Sequence, residues 1–364
     1  MGHTESVSRD GLIVCTCRGN EYSARDAIDA AFFRGTLAPV WKEFLQTVAA
    51  TNHADELELD LDPDAIDASA EHFRYEHDLI TAEETETWLA ARALTLEDFS
   101  DYFARQYWRS TVDENVVPDD VELISTPAEL RQTFTTDLVL SGDLDRLNTE
   151  LMWRLAALAA TDQGVVDSAK IKVERQYFLD RNKITEPKLS EWLRKINRHQ
   201  AWLEEMIAME AAYALACEQV VTPEARKKQL ALLRMPLTYF QAELIEVESL
   251  DAAREALLCI REDGMSMEEV ATQARYPYRR INFRHEDLPP DWQQKFWSVG
   301  AGDLLDPLPR GDGFELYRIT TKSEPDLSDM IVQERIDERL LERHFSALAH
   351  EHVEARLEDV GSTQ

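Results

Sequence analysis

A segment that occurs twice limits what this chain can fold into more than any other feature. Residues 73–89 read FRYEHDLITAEETETWL, and residues 178–193 read FLDRNKITEPKLSEWL. Each copy has a Phe (Phe73, Phe178), an apolar residue six positions on (Leu79, Ile184) and a Thr (Thr81, Thr185). A Trp-Leu pair follows seven positions beyond the Thr (Trp88-Leu89, Trp192-Leu193). Thr185 lies 104 positions after Thr81, with one residue deleted in the second copy. Each Thr reads as a helix cap. Thr81-Ala-Glu-Glu84 spells a capping box, in which the hydroxyl accepts from the N3 amide while Glu84 reaches back. A second start at Thr95 carries Leu96, Phe99, Phe103 and Tyr107 at spacings of three and four, and Trp202 and Met206 follow the second copy. Such stripes belong to helices that bury one face among other helices. Two copies are too few for a solenoid. The expectation is duplicated helical modules, divided between about 115 and 150, where Val117-Pro118-Asp119-Asp120 and Ser141-Gly142-Asp143 break the pattern. Thr222-Pro223 marks one more helix start, with Pro where its missing N–H costs nothing.

Charge excludes two classes of partner. The 364 residues carry 39 basic and 70 acidic side chains, a net −31. A phosphate backbone or an anionic membrane surface calls for clustered Lys and Arg. Nucleic acid and membrane are therefore not expected partners, and neutral or basic ones are. Residues 55–101 concentrate 16 acids against Arg74 and Arg92, which reads first as a solvated face and second as a docking surface for a basic partner. Glu56-Leu-Glu-Leu-Asp-Leu-Asp62 lacks the glycine and spacing of a calcium loop.

The start, Met1-Gly-His-Thr-Glu-Ser-Val-Ser, has neither the basic residues nor the apolar run of a secretory signal. No apolar stretch reaches the roughly 18 residues of a membrane span. Cys15, Cys17, Cys217 and Cys259 form no disulfide framework, and Cys15-Thr-Cys17 lacks a second pair at zinc spacing. His350 and His352 point to different helix faces, which disfavours a metal site with His344. No G-x-S-x-G, H-E-x-x-H, Walker or G-x-G-x-x-G pattern occurs. A reduced, cytoplasmic protein without metal or cofactor is expected.

After residue 236 the texture changes. Leu237 to Val247 reads as a strand, Leu250 to Arg261 as a helix and Met267 to Gln273 as a short helix. A loop through Tyr276-Pro277-Tyr278 leads to Ile281-Asn-Phe283, then a helix from Asp291 to Ser298 and strands around Pro307 and Phe314 to Ile319. A long helix from Ser328 to Glu358 would bury Ile331, Ile336, Leu340, Leu341, Phe345, Leu348 and Val353.

Residues 237–322 resemble the parvulin (PpiC-type) peptidyl-prolyl isomerase domain. The resemblance rests on the first strand followed by Ala252-Ala253 opening a helix and on DGMSMEEVA at 263–271. It continues through Gly302-Asp303 in the family's GE turn, Pro307, and GDGFELYRI at 311–319 as the last strand. The whole arrangement resembles SurA-type chaperones, whose terminal helix packs back on the N-terminal helices. It is also similar to PpiC-related proteins of bacterial ribosomal-peptide maturation.

The resemblance implies a mostly α, α+β fold in four parts. Helical modules occupy 1–140 and 141–235, a parvulin-like domain with a small antiparallel sheet occupies 236–323, and the terminal helix occupies 324–364. Leu288 and Trp292 match the apolar and aromatic positions of the family's proline pocket, and Phe283 and Trp297 match two further aromatic positions. The family's two histidine positions fall on Glu243 or Leu244, depending on a one-residue register, and on Glu315. The Cys or Asp position falls near Arg275-Tyr276, and the GGdLG turn is replaced by Arg279-Arg280-Ile281-Asn282. The amide barrier of about 18–20 kcal/mol yields to a desolvated polar network rather than to a covalent step. With these residues that network is either lost or rebuilt, so weak or absent isomerase activity is expected. Two functions are therefore expected in order. The first is a peptide-binding chaperone for unfolded or precursor peptides, acting beside peptide-modifying enzymes with a degenerate isomerase site. The second is a working isomerase that uses Glu in place of His.

Overall fold

The computed structural model describes residues 9–112, 127–161 and 166–357. Among them, capping signals sit at helix starts. Thr81 accepts from the Glu84 amide at 3.2 Å while Glu84 accepts from the Thr81 amide at 2.7 Å, and Thr95 and Thr222 cap the helices that follow them. Thr185 stands at the N-cap of its helix, but its hydroxyl makes no capping bond; Pro187 enters the first turn there instead.

The chain packs as two units, one formed by Met1–Glu218 with His344–Gln364 and the other by Gln219–Arg343. The first unit opens with strands Ile13–Cys17 (β1) and Asn20–Ser23 (β2). Five helices follow: Ala24–Arg34 (α1), Ala38–Glu56 (α2), Pro63–Glu76 (α3), Ala82–Ala91 (α4) and Leu96–Thr111 (α5). The same order returns in Ala128–Leu140 (α6), Asp143–Ala160 (α7), Ser168–Arg181 (α8), Glu186–Lys195 (α9) and Gln200–Val220 (α10). The duplication visible in the sequence covers only α3–α4 and α8–α9. The repeated helix order extends it to five helices per copy. The segment 117–120 lies outside the described residues, while Ser141-Gly142-Asp143 is the turn between α6 and α7.

Turn geometry repeats with the helices. Gly35 (φ 76°) joins α1 to α2, and Gly142 (φ 78°) joins α6 to α7. Asp78 and Ala93 end α3 and α4 in the left-handed region, as Lys183 and Asn197 do after α8 and α9. The Leu79 amide donates back to the Arg74 carbonyl at 2.8 Å, and the Ile184 amide to Leu179 at 2.9 Å. These are the bonds that close a helix when its next residue turns left-handed. The copies also exchange packing partners: α1 lies against α7 and α6 against α2. One apolar core runs through both copies.

The second unit contains Pro223–Leu232 (α11), Tyr239–Val247 (β3), Leu250–Arg261 (α12), Met267–Ala274 (α13), Tyr278–Arg284 (β4), Pro290–Ser298 (α14), Leu308–Arg310 (β5) and Gly313–Ser323 (β6). The strands form one antiparallel sheet in the order β4-β3-β6-β5. One sheet face packs on α14, and the other on α12 and α13. The architecture is α+β and mostly α.

The terminal helix, Met330–His352 (α15), is shorter than the sequence suggests. Val353–Ala355 leaves it as a strand (β7) that pairs antiparallel with β1, Cys17 opposite Val353 and Cys15 opposite Ala355. The buried stripe also differs by one position at its start. Val332 is buried, whereas Ile331 is 53% exposed. Within the second unit Val332, Ile336 and Leu340 pack with Leu233 and Leu237. Within the first, Phe345 stacks on Tyr213 at 4.5 Å and on Trp153 at 5.8 Å.

Candidate functional site

The sheet of the second unit places the residues that the parvulin resemblance singled out. In β3 the side chains alternate. Phe240, Ala242 and Leu244 face α14, while Ile245 and Val247 face α12 and α13. Leu244 therefore lies on the α14 side, directly across from Tyr317 of β6. Glu243 lies on the opposite side, where it accepts from the Tyr278 hydroxyl at 2.8 Å and stands 3.9 Å from Arg280. Of the two residues the sequence left open, Leu244 faces α14 and Glu243 faces α12 and α13.

Glu315 is on the α14 face, two residues before Tyr317, and it is buried. Its carboxylate accepts from the Tyr317 hydroxyl at 2.6 Å and lies 3.4 Å from the Arg310 guanidinium. Burial, reinforced by the bond to this carboxylate, holds the Tyr317 hydroxyl protonated far above the ordinary tyrosine range. Beside Glu315 an open cleft of about 560 Å³ is lined by Glu246, Arg275, Tyr276, Arg279 and Arg310. Arg279 donates to Glu246, which also lines it.

The apolar positions are brought together only in part. Phe283 stacks on Phe240 at 5.4 Å and meets Phe296 edge-on at 5.4 Å. Trp292 meets Tyr317 edge-on at 5.9 Å. Leu288 and Trp292 are 8% and 7% exposed, so both belong to the packed layer between sheet and helix. Trp297 points elsewhere. It is 43% exposed, lies edge-on to His285 at 5.8 Å and has the Lys322 ammonium 4.8 Å from its ring centroid. The ring that fills the layer is Phe296, fully buried and four residues after Trp292. Its i, i+4 spacing is the signal that finds it, because residues four apart share a helix face. Tyr317, the partner of Glu315, is likewise absent from the positions singled out in the sequence.

Chemically, this end of the sheet offers an engaged carboxylate, a neutral tyrosine and a rim of arginines. Leu244 has no polar atom with which to join them. Among the described residues, no group of three or more His, Cys, Asp or Glu side chains is placed to hold a metal ion. Nor is any helix among them long and apolar enough to cross a membrane.

This chain is similar to solved structures of peptidyl-prolyl isomerase foldases and SurA-like chaperones. The peptidylprolyl isomerase PrsA from Bacillus anthracis is 17% identical, over 56% of this chain and 93% of that one, at a TM-score of 0.31. The foldase protein PrsA from Streptococcus pneumoniae is 11% identical, over 67% and 94%, at 0.27. A SurA-like chaperone of Campylobacter jejuni is 13% identical, over 59% and 88%, at 0.19. No protein-family model and no curated protein sequence matches.

Proposed function

We propose that this chain is a peptide-binding chaperone or escort that takes unfolded or precursor peptides and does not isomerise prolyl bonds. The observation that carries this reading is Leu244 opposite Tyr317, on the sheet face that packs on α14. The parvulin family that residues 237–322 resemble has one His in its first strand and one in its last, a polar network suited to a twisted amide. Here one strand contributes an aliphatic side chain, and the other contributes a carboxylate already bonded to Tyr317 and near Arg310. Binding survives such a replacement and catalysis does not, because binding draws on apolar surface and charge, whereas barrier lowering needs preorganised dipoles. Clients emerging in bacterial ribosomal-peptide maturation, presented to a peptide-modifying enzyme in the cytoplasm, suit the acidic helical modules and the free thiols. A second reading, a working isomerase built on Glu315, draws on the burial of that carboxylate.

A protease-coupled prolyl-peptide assay run beside a test of aggregation suppression separates the two. The expected result is suppression of aggregation with no faster isomerisation than buffer. Isomerisation that disappears in Glu315→Ala would overturn the proposal in favour of the second reading.

A further inference from the structure

The two five-helix copies are not equivalent at one place. In the second copy, α8 ends on Arg181, three residues after Phe178. Its stem crosses Gly35, where a Cβ would come within 2.8 Å of Arg181 Cδ. Its guanidinium donates to the Arg34 carbonyl at the end of α1 and lies 5.7 Å from the centroid of the Phe33 ring. Phe33 in turn stacks on Phe178 at 4.7 Å. An arginine thus caps the C-terminal turn of α1, where helix carbonyls collect negative partial charge.

In the first copy the same position, three residues after Phe73, is Glu76. The counterparts of Phe33 and Arg34, counted from the left-handed glycine, are Leu140 and Ser141 at the end of α6. A smaller aliphatic side chain replaces the ring, and an acid replaces the arginine. An open groove of about 610 Å³ lies here, walled by Phe73, His77, Tyr102, Phe103 and Leu140, with Glu76 and Ser141 lining it as well. Glu76 is exposed, and its neighbour in this groove is His72, at 3.2 Å. One wall of the groove, residues 68–77, comes from the segment 55–101 that holds 16 acids against two arginines.

We propose that this groove is a socket for an arginine side chain on an extended segment of a client polypeptide. The guanidinium would sit between Glu76 and the C-terminal turn of α6, its stem on Phe73 and Leu140. The argument is charge complementarity together with an internal precedent. The second copy already holds an arginine against the matching helix end, and the first copy has inverted the charge that would fill the place from within. A planar guanidinium suits both partners, since it can bond a carboxylate and lie on an aromatic face at once. The inference rests on the reading of the chain as a peptide binder and assigns that reading a site.

The test uses the full chain and a labelled, uncharged extended peptide carrying one arginine, against the same peptide with citrulline, which keeps the shape and removes the charge. Fluorescence anisotropy should show the arginine peptide binding about five-fold tighter, the scale of a partly exposed ion pair. Glu76→Gln should remove that advantage while leaving the citrulline peptide unchanged. Glu76→Arg should weaken the arginine peptide further, by placing in the first copy the charge that the second copy carries. Equal binding of the two peptides, or an arginine preference that survives both variants, would overturn the socket and leave peptide binding standing. Failure of either peptide to bind, with no suppression of aggregation, would overturn socket and chaperone reading together.

Discussion

The ring of Phe73 meets that of Trp88 edge-on at 5.5 Å and 81°, and 105 residues later Phe178 meets Trp192 at 5.4 Å and 80°. The pair spans the left-handed turn between two helices in each copy. Conserving this contact geometry keeps α3–α4 and α8–α9 the same shape while their surfaces differ.

Truncating either phenylalanine should therefore cost the first unit stability. Phe73→Ala and Phe178→Ala should each cost about 3–5 kcal/mol, the range for removing a ring from a packed core. Phe178 should be the larger, because it is fully buried and also carries Phe33. Urea unfolding followed by circular dichroism measures both; a loss under about 1 kcal/mol at either position would contradict the role assigned to the pair.

The glycines that begin α2 and α7 should respond unequally to a methyl group. Both have left-handed backbones, so each alanine pays about 1 kcal/mol or more for φ alone. Gly142 has open space around its missing Cβ, whereas Gly35 has Arg181 there. Gly35→Ala should thus destabilise more than Gly142→Ala, and the gap should close in an Arg181→Ala background. Thermal melts of the four proteins give the comparison; a gap that persists without Arg181 would refute the steric account.

Two substitutions in α15 should report on different units. Ile336→Ala removes a fully buried side chain from the second unit and should cost about 2–5 kcal/mol there. Phe345→Ala should cost about 3–5 kcal/mol in the first, through its contacts with Tyr213 and Trp153. Hydrogen exchange read by mass spectrometry localises each loss, with faster exchange expected in residues 219–240 for the former and in α7 and α10 for the latter. The same peptides responding to both variants would contradict this assignment.

Alkali should unfold the first unit through protons that its core retains. Burial pushes the Cys15 thiol from 9.0 up to about 12, with Cys17 and Asp26 adding to the rise. Burial likewise pushes the Tyr22 hydroxyl up to about 12, helped by Glu205. The folded state holds these protons more tightly than the unfolded chain, so the stability they contribute is whole below the ordinary pKa values and lost as pH rises through about 12. Unfolding midpoints should fall between about pH 9 and pH 11, and Cys15→Ala should flatten the early part of that fall. A midpoint independent of pH over this range would show that Cys15 is not held as a buried thiol.

Local signals were legible because the bonds they encode close within a few residues. Thr81 and Glu84 satisfy each other three positions apart, and Pro223 stands where no amide is needed, so both helix starts follow from the sequence. The order of strands and helices from Tyr239 to Ser323 was legible as well, and in the structure Ser249 and Ser266 cap α12 and α13. Helix α14 could be placed, but which of its adjacent rings, Phe296 or Trp297, is buried was not written in the local sequence. Both are large aromatics, and only the sheet beneath decides which of two neighbours turns inward.

The sequence alone determined that a capped helical segment recurs, that acids concentrate in residues 55–101, and that an alternation of strands and helices follows residue 236. Each of these is written in spacing, capping and composition, which act over one or two helical turns. The tertiary structure decided the rest. It set Leu244 rather than Glu243 on the α14 face, because a strand's alternation is anchored by ladders to β4 and β6. It drew Val353–Ala355 out of the terminal helix to pair with β1, a strand too short to show a period and more than 300 residues away. It also made one of two similar modules closed and the other open, since whether Arg181 or Glu76 faces a helix end depends on α1 and α6 crossing to the opposite copy. Contacts of that range leave no trace in neighbouring residues, because the entropy of bringing distant segments together is met by the whole core rather than by local sequence.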